Sequence, residues 1–220
     1  MGQVHQSAFD REFGQITDKL QIICGLVEGA IARSMQALEE ADSKLAKQII
    51  EEDAQINILR YRIEEDCLAL IATKQPAARD LRQVIGVMNI VVELERIGDY
   101  AAGTARTVVR MRHEPLLKTF KKIFKMGTLS QQMLSDSLQA FLNQDSERAR
   151  LIAAMDPEMD QLYQEVFDRL VEVMAKDPEI VTRAIYLMWI AHNLERIADR
   201  VTNIAERTIF VTTGEMTELE

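Results

Sequence analysis

Leu94-Glu95-Arg96-Ile97-Gly98-Asp99 returns 100 residues later as Leu194-Glu195-Arg196-Ile197-Ala198-Asp199. Between positions 85 and 105, nine of 21 residues match their later counterparts: Ile85, Met88, Ile90, Leu94, Glu95, Arg96, Ile97, Asp99 and Ala105. Self-similarity of that length is an internal repeat, and it predicts two related halves, residues 1–114 and 115–220. Within each copy Glu and Asp stand four apart, so on a helix their carboxylates lie one turn above each other on one face. Like-charged pairs at this spacing are destabilising by about 0.2–0.5 kcal/mol, which raises the question of what cation relieves them. The plainest answer is local. Arg96 and Arg196 could reach Asp99 and Asp199 at i,i+3, and surface ion pairs of that kind are common and weak.

Hydrophobic residues make up 47% of the 220-residue chain and charged ones 28%, enough of each for a packed core under a solvated surface. Nine Gly and only four Pro, among abundant Leu, Ile, Ala, Met, Glu, Gln and Arg, favour helix throughout. A net charge of −9 argues against nucleic acid, whose binding needs a basic face. Cys24 and Cys67, the only cysteines, lie among apolar residues and read as reduced buried thiols of a cytoplasmic protein. Met1-Gly2-Gln3-Val4-His5-Gln6 has no apolar core for a signal peptide, and no apolar run approaches the ~20 residues that span a bilayer. Any membrane association is therefore expected to run through a partner.

Apolar spacing predicts a first helix over about Phe9 to Leu38, weakened by Gly14, Gly25 and Gly29 unless neighbouring helices approach closely there or supply stability. Asp42-Ser43 caps a second helix over about Lys44 to Thr73, with Leu45, Ile49, Ala54 or Ile56, Leu59, Ile63 and Leu70 inward. Pro76 begins a third, reaching about Met111, whose seam is Val84, Val87, Val91, Leu94, Gly98, Ala101, Ala105 and Val108. His113-Glu114-Pro115 reads as the break between halves. A fourth helix follows over about Leu116 to Asn143, irregular near Gly127-Thr128. Asp145-Ser146 repeats the earlier cap and opens a fifth helix to about Lys176, and Asp177-Pro178 starts a sixth that stops near Gly214. The sixth helix has its own seam in Leu187, Ala191, Leu194, Ala198, Val201, Ala205 and Thr208. The expected fold is all-α, two tandem three-helix bundles related by a pseudo-two-fold.

If the second and third helices form a hairpin folded at Pro76, Asp53 lies level with Asp99 and Asn57 with Glu95. Folded at Asp177-Pro178, the last hairpin likewise sets Asp156 level with Asp199 and Asp160 with Glu195. Should these face one another, Asp53, Glu95 and Asp99 form one carboxylate group and Asp156, Asp160, Glu195 and Asp199 another. Such groups hold protons or a cation, and oxygen-rich sets without thiolate suit iron, manganese, magnesium, calcium, or zinc with carboxylates. A bland reading stands beside this one: Glu-x-x-x-Asp is common on solvated helix faces, and Asp156 before Pro157 is equally an N-cap restarting a broken helix. His192 beside Trp189 reads as a packed residue, and the eleven Met as core filler. No Gly-rich phosphate loop or nucleophile triad is present.

These residues resemble the PhoU family of bacterial and archaeal phosphate-uptake regulators. Gln75-Pro76-Ala77-Ala78-Arg79-Asp80-Leu81-Arg82 is similar to the family's stretch opening the third helix, Glu95 to Asp99 and Glu195 to Asp199 to its paired acidic signatures, and Asn203-Ile204-Ala205-Glu206 to the end of its last helix. The resemblance implies multinuclear iron or zinc at the acidic motifs, with Asn57, Asn203 and Glu206 as candidate additional ligands. It also implies a cytoplasmic, non-enzymatic adaptor that restrains phosphate import and its signalling. The partners would be the ATPase subunit of the phosphate ABC transporter, the phosphate-responsive histidine kinase and a second copy of the chain. Two departures stand out. The first copy has Gly103 and Arg106 where the second has Asn203 and Glu206, and Asn57 replaces the acid expected opposite Glu95, so the first site is expected to be the weaker. Two rivals remain, a metal-free helical scaffold and a carboxylate-bridged di-iron oxidase. The latter usually needs two Glu-x-x-His pairs, and the chain has none.

Overall fold

The computed structural model describes residues 2–111 and 121–219, with side chains from residue 8 onward. They form helices α1 (Gly2–Glu40), α2 (Ser43–Lys74), α3 (Ala78–Met111), α4 (Lys121–Leu142), α5 (Ser146–Ala153), α6 (Asp156–Lys176) and α7 (Val181–Thr213), the last entered through a 3₁₀ turn at Pro178–Ile180. No strand occurs among the described residues. The expected break at His113-Glu114-Pro115, the helix start at Leu116 and the boundary between 114 and 115 lie outside them.

The two halves repeat their turns as well as their motifs. Ala41 and Gln144 both adopt left-handed backbone, with φ 53° and 52°. The following Asp42 and Asp145 send their N–H groups back to the carbonyls of Ala37 and Ala140, at 2.9 and 2.8 Å. Asp42 Oδ1 accepts from the backbone N–H of Lys44 and Leu45 at 2.8 and 3.0 Å, and Asp145 Oδ1 from that of Arg148 at 2.9 Å. Each aspartate thus satisfies donors that a helix start leaves without an internal partner. At the far end Gly214, φ 83°, closes α7 through its N–H on Phe210 O at 2.8 Å.

Several elements depart from the sequence expectation. α1 begins at Gly2, ahead of Phe9. Pro76 does not start α3; its ring keeps Gln75 from continuing α2, Gln75 turns left-handed, and α3 begins at Ala78. The expected fifth helix is two, α5 and α6, because Pro157 has no N–H to donate and in an unbroken helix its ring would clash with the carbonyl of Ala153. Asp156 is the first residue of α6, and the cap position belongs to Met155, which makes no side-chain cap bond. α4 runs regularly through Gly127, where a Cβ would stand 2.9 Å from Met35 Cγ, so that glycine serves the approach of α1 to α4. A Cβ at Gly14, Gly25 or Gly29 would meet nothing within 4 Å; close approach does not explain those three. Of the two alternatives on α2, Ile56 is buried and Ala54 exposed.

α3 and α7 are central. α3 packs on α1, α2 and α7, and α7 on α3, α4, α5 and α6, while α1 also meets α4. Every expected seam residue of both helices is buried, and so are Ile90, Ile97, Thr104, Ile190, Ile197 and Ile204 off those lines. A helix apolar on more than one face belongs inside a structure. Consequently one contiguous core runs through both halves.

Candidate functional site

In the first half Asp53 comes from α2, and Glu95 and Asp99 from α3. The helices cross closely because Gly98 has no side chain: a Cβ there would lie 2.9 Å from Ile56 Cδ1 and 3.6 Å from Asp53 Oδ1. Asp53 therefore stands against the turn of α3 that carries Asp99. Burial first, then the charge of Asp99, pushes the Asp53 carboxyl above the ordinary range; Arg106 opposes this and Glu95 adds to it. Asn57 sits half-buried one turn past Asp53. Glu95 is already engaged, since Arg60 Nη1 donates to its Oε1 at 3.2 Å while Arg60 Nε donates to Glu64 Oε1 at 3.3 Å.

In the second half Asp156 and Asp160 occupy the first turns of α6, and Glu195 and Asp199 lie on α7. The Asp156 carboxyl is pushed up to about 6 by burial and then by Asp160, Asp199 and Glu195. Its Oδ1 is buried without a hydrogen-bond partner. Burial and Asp199 likewise raise Glu195, against His192 and Arg196. Burial raises Asp199, against Arg196 and Arg200. The local i,i+3 pair is formed here, Arg196 Nη1 lying 2.6 Å from Asp199 Oδ2. His192 is not packed away as its neighbourhood in sequence indicated. Its side chain is 55% exposed and Nδ1 stands 3.2 Å from Glu195 Oε2, within ion-pair distance yet not aligned as a hydrogen bond, which leaves that buried oxygen without a hydrogen-bond partner.

The structure thus brings each hairpin's acids within electrostatic reach of one another, as the level positions about the turns predict. It does not bring Asn203 and Glu206 into a site by any hydrogen bond. Asn203 Nδ2 donates to Glu93 Oε2 at 3.3 Å, and Glu206 Oε1 accepts from the backbone N–H of Leu219 at 2.8 Å. Sequence reasoning passed over Arg60, although its place one turn past Asn57 put it on the acidic face. It also missed the groove of about 120 Å³ beside Asp53, where Gly25 and Gly29 leave α1 bare.

The donor sets differ in their fit to a metal ion. Four carboxylates, of which Asp156 and Glu195 each keep a buried oxygen without a hydrogen-bond partner while Asp199 is held by Arg196 and Asp160 is exposed, suit a hard or borderline cation. A set whose Glu95 is held by a guanidinium and whose fourth member is a carboxamide does not. Among the described residues no three His, Cys, Asp or Glu side chains are already drawn together as a metal cage.

Comparison with known proteins agrees over nearly the whole length. Residues 20–108 and 123–208 each match the PhoU domain. The Pseudomonas aeruginosa protein named "Phosphate-specific transport system accessory protein PhoU homolog" is 35% identical over 94% of this chain and 86% of its own. The Escherichia coli "Phosphate-specific transport system accessory protein PhoU" is 33% identical over 94% and 86%. The crystal structure of PhoU from Pseudomonas aeruginosa superposes with a TM-score of 0.90 over 94% of this chain and all of that one, at 35% identity. That of the phosphate transport system regulatory protein PhoU from Streptococcus pneumoniae gives 0.90 over 96% and all, at 33%.

Proposed function

Because the chain belongs to the PhoU family, we propose that it is an accessory regulator of a phosphate-specific transport system, one that restrains uptake and starvation signalling when phosphate is plentiful. It acts by contact, not turnover. Its partners in this reading are the transporter's ATPase subunit and a phosphate-responsive histidine kinase, with a second copy of the chain as its homodimer mate. No helix among the described residues is long and apolar enough to cross a membrane.

The observation that carries the metal part of this reading is the second-half cluster, where Asp156 Oδ1 is buried without a partner among three further carboxylates. Asp156, Asp160, Glu195 and Asp199 would hold iron or zinc, whose charge would offset their mutual repulsion and fix α6 against α7. The deciding experiment uses a Glu195→Ala/Asp199→Ala variant. Metal analysis of chelator-free preparations, circular dichroism and pull-down of the ATPase subunit are run on it beside the unaltered protein. The expected result is a folded variant that has lost metal and binds its partner weakly. A metal-depleted, folded variant that binds normally separates docking from metal. Deletion of the gene should raise phosphate uptake and keep starvation genes on in replete medium; unchanged uptake overturns the regulatory reading. The metal-free scaffold remains a second reading, favoured by the Arg196–Asp199 pair. Absence of metal from both preparations would remove the metal part of the reading and leave the regulatory part to the deletion experiment.

A further inference from the structure

The two acidic clusters differ most in what stands beside the acids. Along the second helix of each half the caps Asp42 and Asp145 correspond, as do Asp53 and Asp156, and in that register Arg60 corresponds to Tyr163. Along the third, Arg106 corresponds to Glu206. Arg60 is largely buried, 22% exposed, and spans Glu64 and Glu95 with separate guanidinium nitrogens. Arg106 acts on Asp53 across the helix crossing, and its Nη2 donates to the carbonyl of Asp99 at 3.4 Å. In their places Tyr163 lies against the His192 ring at 6.1 Å, and Glu206 is turned to the Leu219 backbone. Two guanidiniums thus accompany three acids in the first half. In the second half Arg196 pairs with Asp199, and Arg200, itself paired with Glu93, acts on the same Asp199, with the exposed His192 beside Glu195. Asp156 is pushed up by burial and its three acidic neighbours, with no cation set against them.

We propose that Arg60 and Arg106 are fixed counter-cations of the first-half cluster, doing permanently for the α2–α3 hairpin what the α6–α7 hairpin leaves to an added metal ion. The second clause of this inference rests on the metal reading of the preceding subsection; the first does not. The distinction is thermodynamic. A guanidinium built into the chain is present at every metal concentration and always charged. A bound ion stabilises only as RT ln(1 + [L]/Kd), so its effect follows the free concentration. One hairpin is therefore held constitutively and the other conditionally, which makes the repeat a metal-responsive half joined to an unresponsive one.

Hydrogen exchange on the full chain, with zinc ion or with EDTA, reads both hairpins at once. With free zinc at about ten times its Kd, amides at 156–163 are expected to slow about tenfold while those at 53–60 stay unchanged. An Arg60→Gln/Arg106→Gln variant should exchange faster at 53–60 in EDTA and recover part of that protection with zinc. Equal zinc protection of both hairpins in the unaltered chain overturns the proposal, as does a double variant whose 53–60 amides are no less protected. If zinc moves neither hairpin, the metal reading of the second half fails, and the double variant alone decides whether the arginines hold the first. Should that variant not fold by circular dichroism, Arg60→Gln is read in the same way.

Discussion

Asp156 is held up to about 6 by burial and by Asp160, Asp199 and Glu195, against an ordinary carboxyl value of 3.8. Its position at the positive end of α6 works the other way. The folded state therefore binds this proton more tightly than the unfolded chain does. Between those two values stability falls as pH rises, and above about 6 the loss is complete. Thermal melts of metal-free protein should show Tm declining from about pH 4 to about pH 6.5, and Asp156→Asn should flatten that decline. A slope unchanged by the substitution assigns it to other groups. Since metal and proton compete for the same oxygens, zinc should raise Tm more at about pH 7.5 than at about pH 5. The acids themselves were legible in the sequence because a repeat doubled the signal. Their counter-ions were not, since whether Arg60 meets Glu95 depends on helix rotation, which residue spacing leaves free.

At the scale of the helices, close approach and open space assign opposite signs to one substitution. Gly86→Ala would set a Cβ 2.4 Å from Val211 Cγ2, a short branched side chain that cannot swing aside. It should cost about 1–3 kcal/mol by urea denaturation. Gly25→Ala meets nothing and should stabilise by up to ~1 kcal/mol through helix propensity. Asp42→Ala and Asp145→Ala each remove a cap and should each cost about 1 kcal/mol in the same assay. Element identity and both caps could be read from apolar spacing and Asp-Ser pairs. The α5–α6 break was foreshadowed by Pro157 but not predicted, because a proline near a helix start is tolerated and only the preceding turn shows which case applies. The glycines were harder still: Gly98 and Gly25 look alike in sequence, and only the neighbouring helix distinguishes them.

For the molecule as a whole, the contact between α3 and α7 governs. Gly86, Glu93 and Tyr100 recur at a spacing of seven on α3 and all meet α7. Glu93 Oε2 accepts from Arg200 Nη1 at 3.4 Å and from Asn203 Nδ2 at 3.3 Å. The repeat returns a related contact with roles exchanged, Asn193 Nδ2 donating to Thr104 Oγ1 at 3.4 Å. Arg196 Nε reaches Tyr100 OH at 3.5 Å while its Nη1 holds Asp199, so one side chain ties the second cluster to the first half. Two modules in sequence are therefore one unit in energy. The full chain should unfold in a single transition, whereas residues 1–114 alone should not fold as a monomer, checked by calorimetry and light scattering. Glu93→Ala, which leaves Arg200 at 16% exposure without its carboxylate, should cost about 1–3 kcal/mol and lower the midpoint of that one transition without splitting it.

The same pairing sets an order in time. During synthesis α3 emerges about 100 residues ahead of the helix that covers it, a lag of roughly 5–20 s at ribosomal speed. Through that interval the nascent first half carries an apolar flank with no partner on its own chain. A polypeptide in that condition is a natural client for a holding chaperone, and its yield on expression should rise or fall with the supply of one.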